Sequence, residues 1–441
     1  MKHLLVIVLA ISLSVSAGYA GKKAGYVKYE EHTLDNGLRV ILSQDHSVPV
    51  VVVDVWYHVG SASEEIGRSG FAHLFEHMMF EGSENVDKTE HFQHVSRAGG
   101  RMNGSTTTDR TNYWEVLPAN RLNLGLWLES DRMRSLVITA EKFENQRETV
   151  KEERRRGIDN QPYGAAFLVS DTLCYDGWPY SHTVIGRMED LDAAEVEDVQ
   201  RFFDKYYCPS NAVLVIVGDI KPKKAMEMVE EYFGDIAACT PATRPQWEEP
   251  FNKGERREIV DSPKANVPAT FLSYLIPPHA HEDTPALSML NNLLIDGESS
   301  RLHKRLVKDE EVAFGVFGWT DGRTGPGIFR VIAAANAGAD IKDCDRLIYE
   351  EIERVKNEGV GDEELTKLKI NFKTTFITGR QTVLNKAEAL HHYAFYHDDL
   401  SEINTDIDAY MAVTGEDIQR VAKKYLRKDN RTAVTALPPS S

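Results

Sequence analysis

The stretch EDVQRFFDKYYCPSN at residues 197–211 returns as EDIQRVAKKYLRKDN at residues 416–430. Seven residue types, Glu, Asp, Gln, Arg, Lys, Tyr and Asn, reappear at a constant offset of 219 residues. An apolar run follows each copy, AVLVIVGD after the first and TAVTALP shortly after the second. A helix, a turn and a strand repeated at this distance predict two copies of a unit of about 200 residues.

Upstream of residue 197 the chain alternates between strand-like and helix-like patterns. The buried strand VPVVVVDVWYHVG at 48–60 comes first. The helices and strands predicted after it are, in order, a helix at 71–80, a helix at 88–98, strands at 103–108 and 111–117, and helices near 120–134, 140–157 and 192–206. We therefore expect an α+β fold of two similar duplicated domains, each a mostly antiparallel sheet packed with helices.

The expected domain boundaries follow from composition. Residues 1–20 place Lys2 ahead of an apolar run and end in Gly-Tyr-Ala, which is typical of a cleaved signal peptide; retention as a membrane anchor is the alternative. A proline-rich stretch at 238–254 is predicted to be a linker. It separates an N-terminal catalytic domain at 21–237 from a C-terminal domain without metal at 255–441. We expect a secreted protein, periplasmic in a Gram-negative source.

Charge and cysteine content exclude several classes of function. The formal net charge of −17 disfavours nucleic acid and anionic membranes as partners. The four cysteines have no CxxC spacing, so neither a zinc ribbon nor a redox motif is indicated. An oxidising compartment would permit disulfides, but the sequence leaves their pairing open.

The segment HLFEH at 73–77 carries the pattern for metal chemistry. His73 and His77 are four residues apart and would share one helix face, where both imidazoles can bind one metal ion. Glu76 lies beside them as a potential general base. Alternatively, the three are ordinary polar residues of an amphipathic helix, but burying them without a metal would be costly. The flanking residues are strongly apolar: Phe71, Met78, Met79 and Phe80.

Three longer stretches resemble the pitrilysin, insulysin and mitochondrial processing peptidase family of inverted HxxEH zinc peptidases. They are GFAHLFEHMMFEGS (70–83), GGRMNGSTTTDRTNYWEVLP (99–118) and NQRETVKEERRRGIDNQPYG (145–164). The resemblance implies one zinc ion per chain, bound by His73, His77 and a glutamate about 76 residues further on. That residue is Glu153, with Glu152 as the alternative if the register shifts by one. Seven residues earlier, where the family often has a second glutamate, this chain has Gln146, an uncharged neighbour of the ligands.

The resemblance also implies how substrate is held. Asn103, Gly104 and Ser105 match a stretch that forms an edge strand beside the metal and pairs with extended peptide; a plain threonine-rich hairpin strand is the alternative reading. The expected function is therefore zinc-dependent endopeptidase activity on peptides or unfolded segments, with Glu76 as general base. The alternatives are a non-catalytic core or assembly protein of the same fold, which the intact His73, Glu76 and His77 disfavour, and a simple metal-binding protein, which would not need Glu76.

The second half departs from the family pattern at two positions. Self-sufficient members supply an arginine and, seven residues later, a tyrosine that hold substrate near zinc. In the matching stretch SSRLHKRLVKDEEVAFGV (299–316) these positions are Val307 and Phe314, which offer neither a guanidinium nor a hydroxyl. A misalignment would leave Arg301 or Arg305 in the role, although no tyrosine stands seven residues after either. We therefore expect a heterodimer whose partner, of similar fold, supplies the Arg/Tyr pair.

Overall fold

The computed structural model describes residues 25–240 and 254–439. The predicted signal peptide at 1–20 and most of the predicted linker at 238–254 lie outside them, so the domain boundaries remain predictions. The strands are β1 (Glu30–Thr33), β2 (Arg39–Gln44), β3 (Val50–Tyr57), β4 (Arg101–Thr106), β5 (Thr111–Pro118), β6 (Ala212–Gly218), β7 (Arg256–Asp261), β8 (Ala269–Ile276), β9 (Ala313–Asp321), β10 (Gly327–Ala335) and β11 (Arg431–Leu437).

The α-helices of the described chain surround two sheets. They are α1 (Phe71–Met78), α2 (Glu90–Arg97), α3 (Leu122–Ser135), α4 (Ala140–Arg154), α5 (Gly164–Thr172), α6 (Met188–Asp192), α7 (Val196–Tyr206), α8 (Pro222–Phe233), α9 (Thr284–Leu294), α10 (Ile341–Glu358), α11 (Asp362–Thr378), α12 (Val383–His392), α13 (Asp406–Ala412) and α14 (Gly415–Tyr425). Within the described ranges, no helix combines the length and apolar character needed to cross a membrane.

Apart from the additional strand β1 of the first sheet, the two sheets share one topology. The first has strand order β1-β2-β6-β3-β5-β4 and the second β7-β11-β8-β10-β9. Each contains a single parallel pair, β2 with β6 and β7 with β11, and its other pairs are antiparallel. The predicted α+β class with duplicated, mostly antiparallel sheets is confirmed.

The repeated stretch has the same structure in both copies. Helix α7 and strand β6 are followed 219 residues later by α14 and β11, with matching first and last positions. Each copy ends with an asparagine whose side-chain amide donates to the carbonyl of the preceding tyrosine, Asn211 to Tyr206 and Asn430 to Tyr425, at 2.8 Å in both cases. The sequence identity thus marks a helix–strand corner that both halves need.

One helix from each half packs against the sheet of the other half. Helix α5, from the first half, packs on the second sheet, where Ala166 and Phe167 contact a cluster that includes Phe271. Helix α12, from the second half, packs on the first sheet, where Ala387 and Leu390 join valines of β6. The two halves therefore share buried apolar surface.

The structure pairs cysteines that the sequence could not pair. Cys208 and Cys239 form a disulfide, while Cys174 and Cys344 are buried thiols. The disulfide joins the turn after α7 to the chain that follows α8, so it lies within the first half.

Candidate metal centre

Helix α1 starts at a buried, charged cap that the sequence did not reveal. Gly70 has φ 91°, a left-handed conformation that favours glycine. The Glu64 carboxylate accepts hydrogen bonds from the amides of Gly70 at 3.0 Å and Ala72 at 2.8 Å, which satisfies orphan donors of the helix. His182 also contacts this carboxylate, at 3.0 Å from Nε2. These contacts fix the first turn of α1.

Burial raises the pKa of Glu64, although its hydrogen bonds with His182, Ala72 and Gly70 oppose that rise. Burial alone would lower the pKa of His182, but the hydrogen bond and charge of Glu64 outweigh it and raise that pKa. The two side chains thus form a mutually dependent pair beneath α1.

Helix α1 buries its apolar face and directs its histidines the other way. Phe71, Leu74, Phe75 and Met78 are buried in the core of the first half. The side chains of His73 and His77 are 13% and 24% exposed. The four-residue spacing therefore gives one histidine-bearing face, as the sequence predicts.

Helix α4 brings Glu153 to this face. Its Oε2 lies 3.6 Å from Nε2 of His73 and 3.4 Å from Nε2 of His77. Glu152, the alternative residue, instead forms ion pairs with Arg155 and Arg156. The structure thus brings Glu153, and not Glu152, against the two imidazoles.

Gln146 lies two turns before Glu153 on α4. Its amide donates to Oε1 of Glu81 at 2.7 Å, and Lys88 lies 2.7 Å from the other oxygen of that carboxylate. Gln146 therefore contacts the end of α1 through Glu81, four residues beyond His77, and no hydrogen bond to the histidines or to Glu153 is found among the described residues. This contact holds α4 in register with α1.

Glu76 faces the strand that carries the predicted substrate-binding residues. Its Oε2 accepts a hydrogen bond from Oγ1 of Thr106, the last residue of β4, at 2.5 Å. Burial raises the pKa of Glu76, whereas the Thr106 hydrogen bond and the charges of His77 and Arg110 act in the opposite direction. A carboxylate with a raised pKa beside two histidines is suited to accepting a proton.

Asn103, Gly104 and Ser105 lie in β4, which is the edge strand of the first sheet. Strand β5 pairs with one side of β4, with Asn103 opposite Trp114 and Ser105 opposite Asn112. Helix α1 packs close to β4, so the edge strand and the histidine face are neighbours. This placement matches the predicted edge strand beside the metal; the substrate role of the three residues stays a prediction.

The cluster suits zinc in donor type and spacing. The donor atoms of His73, His77 and Glu153 lie within 4.8 Å of one another. Tetrahedral zinc with bonds of about 2.0–2.2 Å requires ligand atoms roughly 3.4 Å apart, close to the two separations from Glu153. Burial, together with the charge of His77, lowers the pKa of His73 to about 4, so its imidazole is neutral at pH 7. Two imidazoles and one carboxylate leave a fourth position for water or substrate.

In the second half, the two positions predicted to correspond to the family's arginine and tyrosine hold Val307 and Phe314. Val307 is partly buried against the second core, and Phe314 stands on the edge strand β9 with 56% of its surface exposed. The alternative arginines are engaged locally, Arg301 with Glu364 and Arg305 with Glu310.

Comparison with known proteins places this geometry in a family. Residues 39–174 match the model described as insulinase, peptidase family M16, and residues 193–372 match the peptidase M16 inactive domain. The zinc protease PqqE of Helicobacter pylori is 31% identical over 99% of this chain and all of its own length.

The chain belongs to the M16 peptidase family. The β subunit of a probable mitochondrial processing peptidase from Arabidopsis thaliana is 24% identical over 92% of this chain and 78% of its own. A crystal structure of a protease from H. pylori matches with a TM-score of 0.90 at 30% identity, covering 94% of this chain and 100% of that chain.

At 18% identity, an M16 inactive-domain structure from Pseudomonas fluorescens shares the fold, with a TM-score of 0.85 over 94% of this chain and 99% of that one. The M16 relatives thus include proteins named zinc proteases and a structure named for an inactive domain.

Proposed function

We propose that this M16 chain is a catalytic subunit, a zinc-dependent endopeptidase that binds one zinc ion at His73, His77 and Glu153. The observation that carries the proposal is the convergence of these three donors beside Glu76, whose carboxylate is hydrogen-bonded to the edge strand β4. A non-catalytic member of the family would need neither the donor set nor the adjacent base.

Each side chain has a defined task in peptide hydrolysis. Zinc bound by these residues would supply Lewis-acid activation of a water molecule near pH 7. Glu76 accepts the proton of the attacking water at its carboxylate and then donates it to the leaving amine nitrogen. Thr106 holds one oxygen of Glu76 at 2.5 Å, which orients the other. Zinc ligation requires both imidazoles in their neutral form, each presenting a nitrogen lone pair.

The proposed substrate is an extended peptide or an unfolded segment. Main-chain pairing to the free edge of β4, at Asn103, Gly104 and Ser105, supports this class because such pairing tolerates many sequences. A folded protein offers few unpaired strands of the required length.

A partner of similar fold is part of the proposal. Phe314 lies on the outer strand β9, where Phe317 and Trp319 are also exposed, 56% and 41% respectively. Apolar side chains grouped on an exposed edge are typical of an interaction surface. A second M16 subunit that carries the Arg/Tyr pair would cover this edge and supply what Val307 and Phe314 lack.

The proposed location is outside the cytosol. The signal-like pattern of residues 1–20 and the Cys208–Cys239 disulfide both support it, since disulfides persist in oxidising compartments. The mature amino terminus is expected near Gly21. Mass spectrometry of the protein from its own host would reveal it, and an intact Met1 would reject the cleavage.

Activity with and without a partner tests the proposal. Protein isolated from its host, with any bound partner, should contain zinc and hydrolyse a long unstructured peptide, and a chelator should abolish the hydrolysis until zinc is restored. Recombinant chain alone should be nearly inactive and recover when an M16 partner with the Arg/Tyr pair is added. Full activity of the isolated chain would reject the heterodimer but retain the peptidase; zinc-independent hydrolysis would reject both.

A further inference from the structure

A second cluster of three histidines lies in the other half of the chain. His279 stands in the loop after β8, His392 is the last residue of α12, and His397 ends the π-helical turn Tyr393–His397. Their ring centroids are 4.4 to 5.5 Å apart, and each offers a nitrogen within 4.8 Å of the others. In a π-helix, residues five apart share a face, which explains how His392 and His397 meet.

The orientation of His397 is that of a metal ligand. Its Nδ1 lies 2.5 Å from a carboxylate oxygen of Glu402, so this nitrogen carries the proton and donates it. The other nitrogen, Nε2, is buried and has no hydrogen-bond partner within the described ranges. A carboxylate behind a histidine fixes the tautomer and presents the opposite lone pair to a metal.

The other two rings are neutral at physiological pH. Burial, with the charge of His397, lowers the pKa of His279 to about 4. Burial also holds the pKa of His392 well below its ordinary value, with His279 and His397 adding to the effect. Without a metal, the three closely packed rings would direct nitrogen lone pairs toward one another. Arg380, which also acts on His392, is already engaged with the carbonyl of Ile403 and the hydroxyl of Tyr393.

We propose that His279, His392 and His397 bind one divalent transition-metal ion, Zn²⁺ being the expected occupant. An all-imidazole set suits zinc and its first-row neighbours and excludes Mg²⁺ and Ca²⁺, which prefer oxygen ligands. Three imidazoles leave a fourth coordination position for another ligand. This site is independent of the proposed peptidase function, since it shares no residue with the His73 cluster.

A third group of potential ligands shows that proximity of donor atoms is not enough to indicate a metal site. His91, Glu115 and Glu129 also lie close together and are buried. Arg132 sits among them, with its guanidinium bound to Glu129 and 3.7 Å from Glu115. The cation that this group needs is therefore a side chain of the protein itself. Among the described residues, Arg380 is near His392 but donates its hydrogen bonds to Ile403 and Tyr393 rather than to the histidine cluster.

The proposed ion would join the two halves of the molecule. His392 belongs to the helix that packs on the first sheet, while His279 follows a strand of the second sheet. Tyr396, next to the cluster, contacts Thr107 at the turn between β4 and β5. Bound metal would thus cross-link the interface near the edge strand, and its removal should lower the thermal midpoint.

Zinc stoichiometry separates the two sites. After equilibration with buffered zinc and gel filtration, full-length protein should retain two equivalents. His73→Ala/His77→Ala should retain one, His279→Ala/His397→Ala should retain one, and the quadruple variant none. His281→Ala is the matched control, because His281 lies in the same loop but outside the cluster, and it should keep both equivalents.

The His73→Ala/His77→Ala protein tests the second site even if the His279→Ala/His397→Ala variants fold poorly, because its own His279, His392 and His397 are intact. In that background, zinc should raise the melting temperature, and Glu402→Gln should weaken zinc binding about 10–100-fold while leaving the stoichiometry unchanged. Absence of bound zinc in the His73→Ala/His77→Ala protein would overturn the proposal. Retention of two equivalents by a folded His279→Ala/His397→Ala protein would overturn it as well.

Discussion

At the scale of single residues, the environment of Glu76 decides whether this carboxylate can work as a base. Within the described part of the chain, the hydroxyl of Thr106 donates a hydrogen bond to this carboxylate, and it does so from a strand rather than from the metal helix. Local sequence gave no signal for this contact, because Thr106 is one of three consecutive threonines and 30 residues separate it from Glu76.

Thr106→Val should lower kcat about tenfold with little change in KM. A hydrogen bond to a charged group contributes roughly 1.5 kcal/mol, and its loss frees Glu76 to rotate away from the attacking water. Thr106→Ser keeps the hydroxyl and should restore most of the rate. Steady-state kinetics on one peptide would measure both; equal rates for Val and wild type would show that the hydroxyl does not orient the base.

Two adjacent glutamates test the register of the ligand helix. Glu153→Gln should lower zinc occupancy sharply, because it removes the carboxylate that faces both histidines. Glu152→Gln is the matched control and should bind zinc normally, since Glu152 pairs with Arg155 and Arg156 rather than with the histidines. Metal analysis of both purified proteins would distinguish them, and the reverse result would shift the assignment by one residue.

His91 should make the protein sensitive to acid. Burial, then the charge of Arg132, lowers the pKa of His91 to about 3, below the ordinary value of 6.5. The unfolded chain therefore binds more protons between these values, so stability is full above pH 6.5 and falls as the pH is lowered toward 3. His91→Gln does not titrate there. Denaturant unfolding from pH 8 to pH 5 should show a steeper loss for wild type than for this variant; parallel curves would contradict it.

At the scale of helices and strands, much of the architecture could be predicted from the sequence. The repeated stretch predicts the α7–β6 and α14–β11 units, and the spacing in HLFEH predicts that both histidines lie on one face of α1. The predicted helix at 140–157 is α4, ending at Arg154 and continuing as a π-helical turn through Asp159.

The exchange of α5 and α12 between the halves was not predictable. Periodicity shows that a helix has an apolar face but not which sheet that face meets. The histidine cluster was unpredictable for the same reason, because His279 and His392 come together only where α12 packs against the other half. The disulfide partners and Glu64 beneath α1 also have no recognisable pattern in the neighbouring sequence.

Helix α12 should couple the stabilities of the two halves. Leu390 is fully buried in the cluster formed by α12 and the first sheet. Leu390→Ala should cost about 2–5 kcal/mol and lower the single thermal transition of the whole chain. Leu384→Ala, on the partly buried side of the same helix, is the control and should cost less. Calorimetry that resolved two transitions, only one of them shifted, would contradict the coupling.

At the scale of the whole molecule, the features of an M16 peptidase are unequally distributed. The first half holds the donor set, the base and the edge strand, and the second half has Val307 and Phe314 where substrate-gripping residues are expected. The second sheet nevertheless repeats the strand order of the first, apart from strand β1. This asymmetry is the basis for proposing a complementary partner.

The turnover number of Glu76→Gln at full zinc occupancy tests the central claim most directly. The substitution preserves the size of the side chain and all three proposed ligands but removes the proton acceptor. For protein isolated from its host with any partner bound, we expect wild-type zinc content and a decrease in peptide hydrolysis of about 10²–10⁴-fold. Hydrolysis within a fewfold of wild type in a zinc-loaded Glu76→Gln protein would contradict the account.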